Sequence, residues 1–420
     1  MNVPPALRHR DFNLYWFGVV FSQIGTRGTV AANLFQVYEL SRSTAITGLV
    51  GLAQAVSLLV LSPIGGAYAD RIDRRRLLQA TQLLALVVAG ALAVLTETGH
   101  ATTLAVLASV LLTTAAGTFD QPARQALIPA MVPRNELPQA FALLNPSREL
   151  AVLLGPALAG LLIAVDGPGL MYAVDAATYA VLVVVLGLIR TPRLVPETRH
   201  LPVLRTIVDG ARFVKNRPLV WMMMSLDLSA TLFGAYRVVL PALSLTVLHA
   251  GPTGYGLLSA APSAGALLAT YPVFRVVARG RAIGKVLLAA SAGYGIAVIL
   301  LAQSPYFVLA LGSGLLIGAC DAMATTIRQA CVQLETPDTM RGRVSSIYQM
   351  ASRGGPALGD LNIGWVAGIV GPVAALSLGG IVPILYASAL YLRGSRIRSY
   401  AVAREPVATP ESGHGCVTAS

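Results

Sequence analysis

The chain has 420 residues, 55% hydrophobic and only 12% charged, with a formal net charge of +12. A soluble domain carries roughly 25% charged residues, so about half that share leaves too little polar surface to wet a globule, and the missing solvent is lipid. The basic residues sit in short clusters between apolar runs, which excludes a nucleic-acid-binding domain and fits the positive-inside distribution of a membrane protein.

A spanning helix needs about 20 mostly apolar residues. Twelve spans are predicted, at 12–38, 45–68, 77–96, 102–123, 138–165, 168–189, 219–247, 254–278, 283–302, 305–330, 343–369 and 371–392. The first runs too long, with no small-residue cleavage site after a short core, to be read as a cleaved leader. With the amino terminus inside, the inner segments hold Arg8 and Arg10, the run Arg71 to Arg76, Arg134, the segment from Arg190 to Arg217, Arg275 to Lys285, Arg341 and Arg343, and Arg393 to Arg404. The outer loops hold Arg42 alone. Both termini are therefore expected in the cytoplasm of a multi-pass cell-membrane protein.

The expected organisation is an all-α integral membrane protein with two pseudo-symmetric six-helix bundles, at 1–190 and 219–394. A Pro- and Arg-rich central loop at 191–218 joins them, with an amphipathic helix expected at 203–217 on the membrane surface. A polar tail, expected to be disordered, covers 395–420. The halves repeat. Arg124-Gln125-Ala126 recurs as Arg328-Gln329-Ala330, Pro133 as Pro337, Gly155-Pro156-Ala157-Leu158 as Gly355-Pro356-Ala357-Leu358, and Thr47-Gly48 as Thr253-Gly254. Such duplication is the sequence form of two-halved transporters with a substrate site between the halves.

Three motifs follow the chain. The loop after the second span reads Gly65-Gly66-Ala67-Tyr68-Ala69-Asp70-Arg71-Ile72-Asp73-Arg74-Arg75-Arg76. It resembles the signature loop of the major facilitator superfamily, with Gly66, Ala69, Asp70, Arg71, Arg74 and Arg75 matching, and Tyr68 and Asp73 standing where Leu and Gly are usual. Its charges are candidates for a cytoplasmic gate. The stretch Pro122-Ala123-Arg124-Gln125-Ala126-Leu127-Ile128-Pro129, with Val132-Pro133 after it and Gly155-Pro156 in the fifth span, resembles the branch of that superfamily containing enterobactin exporters and macrolide or multidrug efflux proteins. Gly155, Pro156 and Gly160 also resemble the fifth-helix motif of its exporters; ordinary small-residue packing is the other reading. The resemblance implies the major facilitator fold and proton-coupled export of a drug, antibiotic or siderophore.

Charges inside spans are costly and so point to function. Carboxylates in an apolar cavity can hold a proton near neutral pH, and Asp227, Asp321 and Glu149 are the candidates, in that order. Arg27, Arg148, Arg237, Arg353 and Asp360 are candidates for lining the substrate cavity, with Met222–Met224 as apolar lining. Structural ion pairs are the alternative for each, and Asp120 with Arg124, four residues apart, reads as a local pair. Asp175 is a further charge in the sixth span. The family branch often carries an acid near the position of Arg27; this chain does not.

No phosphate-binding Gly-Lys loop is present, and the only lysines are Lys215 and Lys285. ATP hydrolysis by this chain is excluded, and no histidine lies in a span to serve an enzyme. Cys320 and Cys331 are too far apart along one helix to bridge, roughly 16 Å, and no metal-ligand spacing occurs. The expected protein is a monomeric, non-enzymatic transporter of a small molecule in a lipid bilayer, with no cofactor beyond the proton gradient and no nucleic-acid partner. A lipid flippase or importer of the same fold, or a non-transporting sensor or scaffold, remains as an alternative.

Overall fold

The computed structural model describes residues 4–69, 73–189, 203–279 and 282–400, and all secondary structure among them is helical. The helices are α1 (Arg10–Ser41), α2 (Thr44–Ala69), α3 (Arg74–Glu97), α4 (Thr103–Leu127), α5 (Leu137–Leu188), α6 (Val203–Asn216), α7 (Pro218–Phe233), α8 (Gly251–Arg279), α9 (Ile283–Ala302), α10 (Phe307–Leu334), α11 (Asp338–Val370), α12 (Pro372–Arg393) and the short α13 (Ser395–Arg398). Most predicted spans match these within a few residues; those at 138–165 and 168–189 fall on the one helix α5, and 219–247 covers α7 and the short turns that follow it.

Nine segments among the described residues are long and apolar enough to cross a membrane on composition alone. One of them is a double crossing. α5 is broken at Asp166 and Gly167, where Gly167 takes φ +76° and Pro168 starts the second arm. The carboxyl-terminal half repeats the device, with Gly371 at φ +87° before Pro372 between α11 and α12. Positive φ suits glycine, and the proline that follows cannot continue the preceding helix. α1 and α11 are not among the nine; they carry Arg27 in one and Arg353 and Asp360 in the other, as helices facing a polar space do.

Polar groups set the remaining ends. Asp73, in the place of the usual glycine, caps α3 by accepting from the backbone N–H groups of Arg75 and Arg76 at 3.0 and 3.4 Å. Thr102 caps α4 through the N–H of Ala105. α7 breaks after Phe233 and resumes as short turns through Val247. The carbonyls freed there are taken by side chains of other helices. Asn362 Nδ2 donates to Leu232 O at 3.0 Å, and Tyr294 Oη donates to Gly234 O at 2.9 Å. Broken helices persist inside membranes only with such replacement partners.

Two outlying segments are held by specific contacts. The amphipathic helix α6 packs against α11: Val214 is buried with Val344 and Tyr348, and Asp209 meets Arg343 at 3.3 Å. The tail is not free at its start, because α13 packs on α9 and α12 with Ile397 buried, and Gly284 N–H donates to Tyr400 O. An apolar side chain in an otherwise polar stretch supplied the anchor.

Candidate functional site

The two halves share one core at one end of the molecule and separate at the other. The shared core joins Ala31, Phe35 and Val37 of α1, Val50 of α2 and Tyr172 of α5 to Val238, Val239, Tyr255, Ile363 and Ala367 of the second half. Every other apolar core cluster draws on one side of the molecule only: Phe12, Tyr15 and Leu78 belong to one, Met223, Leu287 and Ile327 to another. A continuous dry contact at one end and split cores at the other enclose a space that opens toward the end bearing residues 127–137 and 334–338.

Glycines make the closed end possible. A side chain on Gly160 of α5 would meet the Cα of Gly256 on α8, and one on Gly256 would meet the Cα of Gly160 at 2.6 Å. Gly364 of α11 stands in the same relation to Gly48 of α2: a side chain on Gly364 would lie 2.7 Å from the Cα of Gly48. Two pairs of helices from opposite halves thus approach at backbone contact, which only a hydrogen side chain permits. Tyr255 Oη donates across the halves to Ala31 O at 2.8 Å, and its ring lies 5.5 Å from that of Phe35. Tyr172 Oη donates to Gln36 Oε1 at 2.8 Å, behind the same plug.

The fifth-helix motif divides its work. Gly155 packs inside its own half, against Arg27 Cβ and the backbone N of Gly28 on α1. Gly160, five residues on, meets the other half. Pro156 has no N–H for the carbonyl of Val152, and Ser263 Oγ of α8 donates to that carbonyl at 3.4 Å. The proline therefore creates an acceptor that the opposite half uses.

Charged residues at mid-span line the gap. Glu149 of α5, Asp321 of α10 and Arg353 of α11 are exposed, and Arg27 and Arg148 are half-buried. Arg27 acts electrostatically on Arg148, Arg237, Arg353 and Glu149, and Arg353 acts on Arg148. Charges this deep do not face lipid, so they border one water-accessible space, with cations supplied by both halves. Arg353 Nη2 also donates to Gln121 Oε1 of α4 at 3.3 Å, a polar link across the gap. Arg237, placed by the break in α7, donates to Asp360 Oδ2 at 2.6 Å, and Asp360 is 2% exposed. Asp321 interacts electrostatically with Asp227 and Arg328 and also with Tyr236, the neighbour of Arg237.

Three candidate residues have fixed partners. Asp227 Oδ1 lies 2.6 Å from Arg328 Nη2, with both side chains buried. Arg124, at the place of Arg328 in the first repeat, donates to Asp120. The repeat thus keeps a paired arginine in each half but takes its acid from the same helix in one and from α7 in the other. Met223 and Met224 lie in the core of the second half and not on the cavity, because their stretch of α7 faces α9, α10 and α11.

Of the gate loop, Asp70 and Arg71 lie outside the described residues, and Gly66 ends up near the end of α2. Arg75 Nε donates to Leu186 O, and its Nη2 donates to Gly187 O at 2.7 Å. A cation on the free carbonyls of a helix end is favourable, so Arg75 fastens α3 to the end of α5 within one half. Sequence reasoning passed over Tyr255, Gly256, Gly364 and Arg328. Gly364 and Gly368 form a small-xxx-small spacing that marks close packing; no comparable signal marked Tyr255.

Comparison with known proteins follows this geometry. A family model described as transmembrane secretion effector matches residues 3–411. The enterobactin exporter EntS of Citrobacter koseri is 27% identical over 383 residues, covering 90% of this chain and 89% of that protein. The nucleoside transporter NupG has a similar fold, with TM-score 0.73 and 15% identity over 91% of this chain and 98% of its own. A bacterial homologue of the iron transporter ferroportin in an inward-facing state matches with TM-score 0.70 and 15% identity, over 90% and 99%.

Proposed function

This chain belongs to the transmembrane secretion effector family of major facilitator transporters, and from that premise we propose that it exports a small amphipathic acid by proton-coupled alternating access. Transporters of this kind are not enzymes and need no cofactor. The halves, 1–190 and 219–394, rock about the space between them, with both termini and the 191–218 linker in the cytoplasm. In that orientation the open end would face the cytoplasm, where cargo for export loads.

The observation that carries the substrate class is the convergence of Arg27, Arg148 and Arg353 from both halves on one space that holds Glu149. Cations that outnumber the acids in a low-dielectric cavity favour an anionic guest and repel a cationic one. The exposed carboxylates Glu149 and Asp321 are suited to exchange protons with the cavity. Asp227 can do so only by releasing Arg328. EntS, as an enterobactin exporter, is a relative whose cargo supplies the first probe.

The test uses inverted membrane vesicles containing the full chain, with an inward-acid gradient. Enterobactin is expected to accumulate in them and to leak back when the gradient is collapsed, while a cationic dye such as ethidium accumulates poorly. Gradient-independent movement of lipid analogues, or accumulation only in right-side-out vesicles, would replace this reading with a flippase or an importer.

A further inference from the structure

Among the described residues, four acids lie buried inside the spans: Asp120, Asp175, Asp227 and Asp360. Three of them hold an arginine, through Arg124, Arg328 and Arg237. Asp175, in the second arm of α5, has relative exposure of 0% and no cation. Its Oδ1 accepts from Thr178 Oγ1 at 3.3 Å, one residue turn away. Its Oδ2 is buried without a hydrogen-bond partner, and so is Thr29 Oγ1 of α1, which faces it. A carboxylate with no cation beside it is disfavoured in this setting, and only the hydroxyls of Thr29, Thr178 and Tyr179 are placed to offset its charge.

Among the described residues, no cation faces it. From α1 the facing groups are Gly25, Thr26 and Thr29; a side chain on Gly25 would strike Asp175 itself. From its own arm they are Thr178 and Tyr179. Tyr179 packs on Ala85 and Ala89 of α3, which bring no charge. Asp120 and Arg124 of α4 act on Tyr179 and are committed to each other. Tyr179 Oη is bound to Thr26 Oγ1 at 2.8 Å.

α1 connects this acid to the cavity. Gly25 and Thr29 are four residues apart and share the face that covers Asp175. Arg27 lies midway between them, and at 100° per residue it points to the opposite face, where the other arginines gather. A shift of α1 that follows cargo on Arg27 therefore uncovers or seals Asp175.

We propose that Asp175 is a proton-binding site of the transporter, sealed by α1 and coupled through that helix to the substrate cavity. The proton bound there is taken from a hydronium ion in water admitted when α1 moves, leaving water, and is returned to water as hydronium on the other side of the cycle. This rests on the proton-driven reading above for its role in transport, but not for the protonation itself.

The full chain in liposomes decides it by infrared difference spectroscopy across a pH titration. A protonated-carboxyl carbonyl band is expected at neutral pH, absent in Asp175→Asn and retained in Asp321→Asn. A band that survives Asp175→Asn, or no band in the wild type, overturns the proposal. The second arm uses enterobactin. Asp175→Asn should keep exchange of enterobactin across the membrane without a gradient and lose gradient-driven accumulation. Equal loss of both, with the fold intact by thermal unfolding, marks a structural role and also overturns it. Should the wild type move no enterobactin, the transport reading fails, and the infrared arm alone decides the proton site.

Discussion

Arg328 of α10 and Asp227 of α7 meet at 2.6 Å, with 3% and 7% of their side chains exposed. The two residues hold together helices that are far apart in the chain, and Arg328 Nη2 also donates to Thr325 Oγ1 at 3.0 Å. Breaking a buried pair leaves an uncompensated charge, at a cost of roughly 3–5 kcal/mol. Asp227→Asn and Arg328→Gln should each lower the thermal unfolding temperature of the detergent-solubilised protein markedly. The double variant should regain much of the loss, because no charge is then stranded. Additive losses would show that the pair is not a unit.

The Gly160–Gly256 contact predicts a gate variant. Gly160→Val forces α5 and α8 apart at the closed end, at about 1–3 kcal/mol of overpacking. Opening should be read as faster reaction of a cysteine at Phe35, in a background with Cys320, Cys331 and Cys416 replaced by serine, with a membrane-impermeant maleimide added from the face opposite the termini. Unchanged labelling would mean that this contact does not keep the end shut.

The arginine cavity predicts selectivity. A hydrogen bond to a charged group contributes about 1.5–3 kcal/mol, so Arg148→Gln or Arg353→Gln should weaken binding of an acidic cargo by roughly ten- to a hundredfold. Competition for enterobactin binding to the purified protein checks it. A cationic dye should bind equally well or better to these variants, and parallel loss for both ligands would point to a packing defect.

Arg75 predicts a stability effect within one half. It donates to two carbonyls at the end of α5, whereas its neighbour Arg76 is exposed. Arg75→Ala should lower the unfolding temperature while Arg76→Ala leaves it nearly unchanged. Arg75→Lys should restore only part, since a single ammonium does not reproduce the fork of a guanidinium.

The docking of α6 gives the last prediction. A side chain on Gly210 would lie 2.7 Å from the carbonyl O of Arg343. Gly210→Leu should lift α6 from α11 and speed proteolytic cleavage of the central linker, measured against the wild type in the same detergent. Cleavage at the wild-type rate would show that the helix is held elsewhere.

Much of this protein was legible in one dimension. Lipid exposure leaves a helix no choice but to satisfy its own backbone, so length and apolarity located the spans, and the repeated Gly-Pro and Arg-Gln-Ala stretches disclosed the two halves. The intramembrane charges were also legible as a set, because each is too costly to be accidental. Their partners were not. Asp227 read as the foremost free carboxyl, yet it is bound to Arg328; Asp175 read as one charge among several, yet it is the buried acid without a cation. Pattern along a chain reports burial and period, which are local. Which acid meets which arginine, which glycine meets another glycine, and which end of the cavity is closed depend on distances between helices remote in sequence, and only their packing decided them.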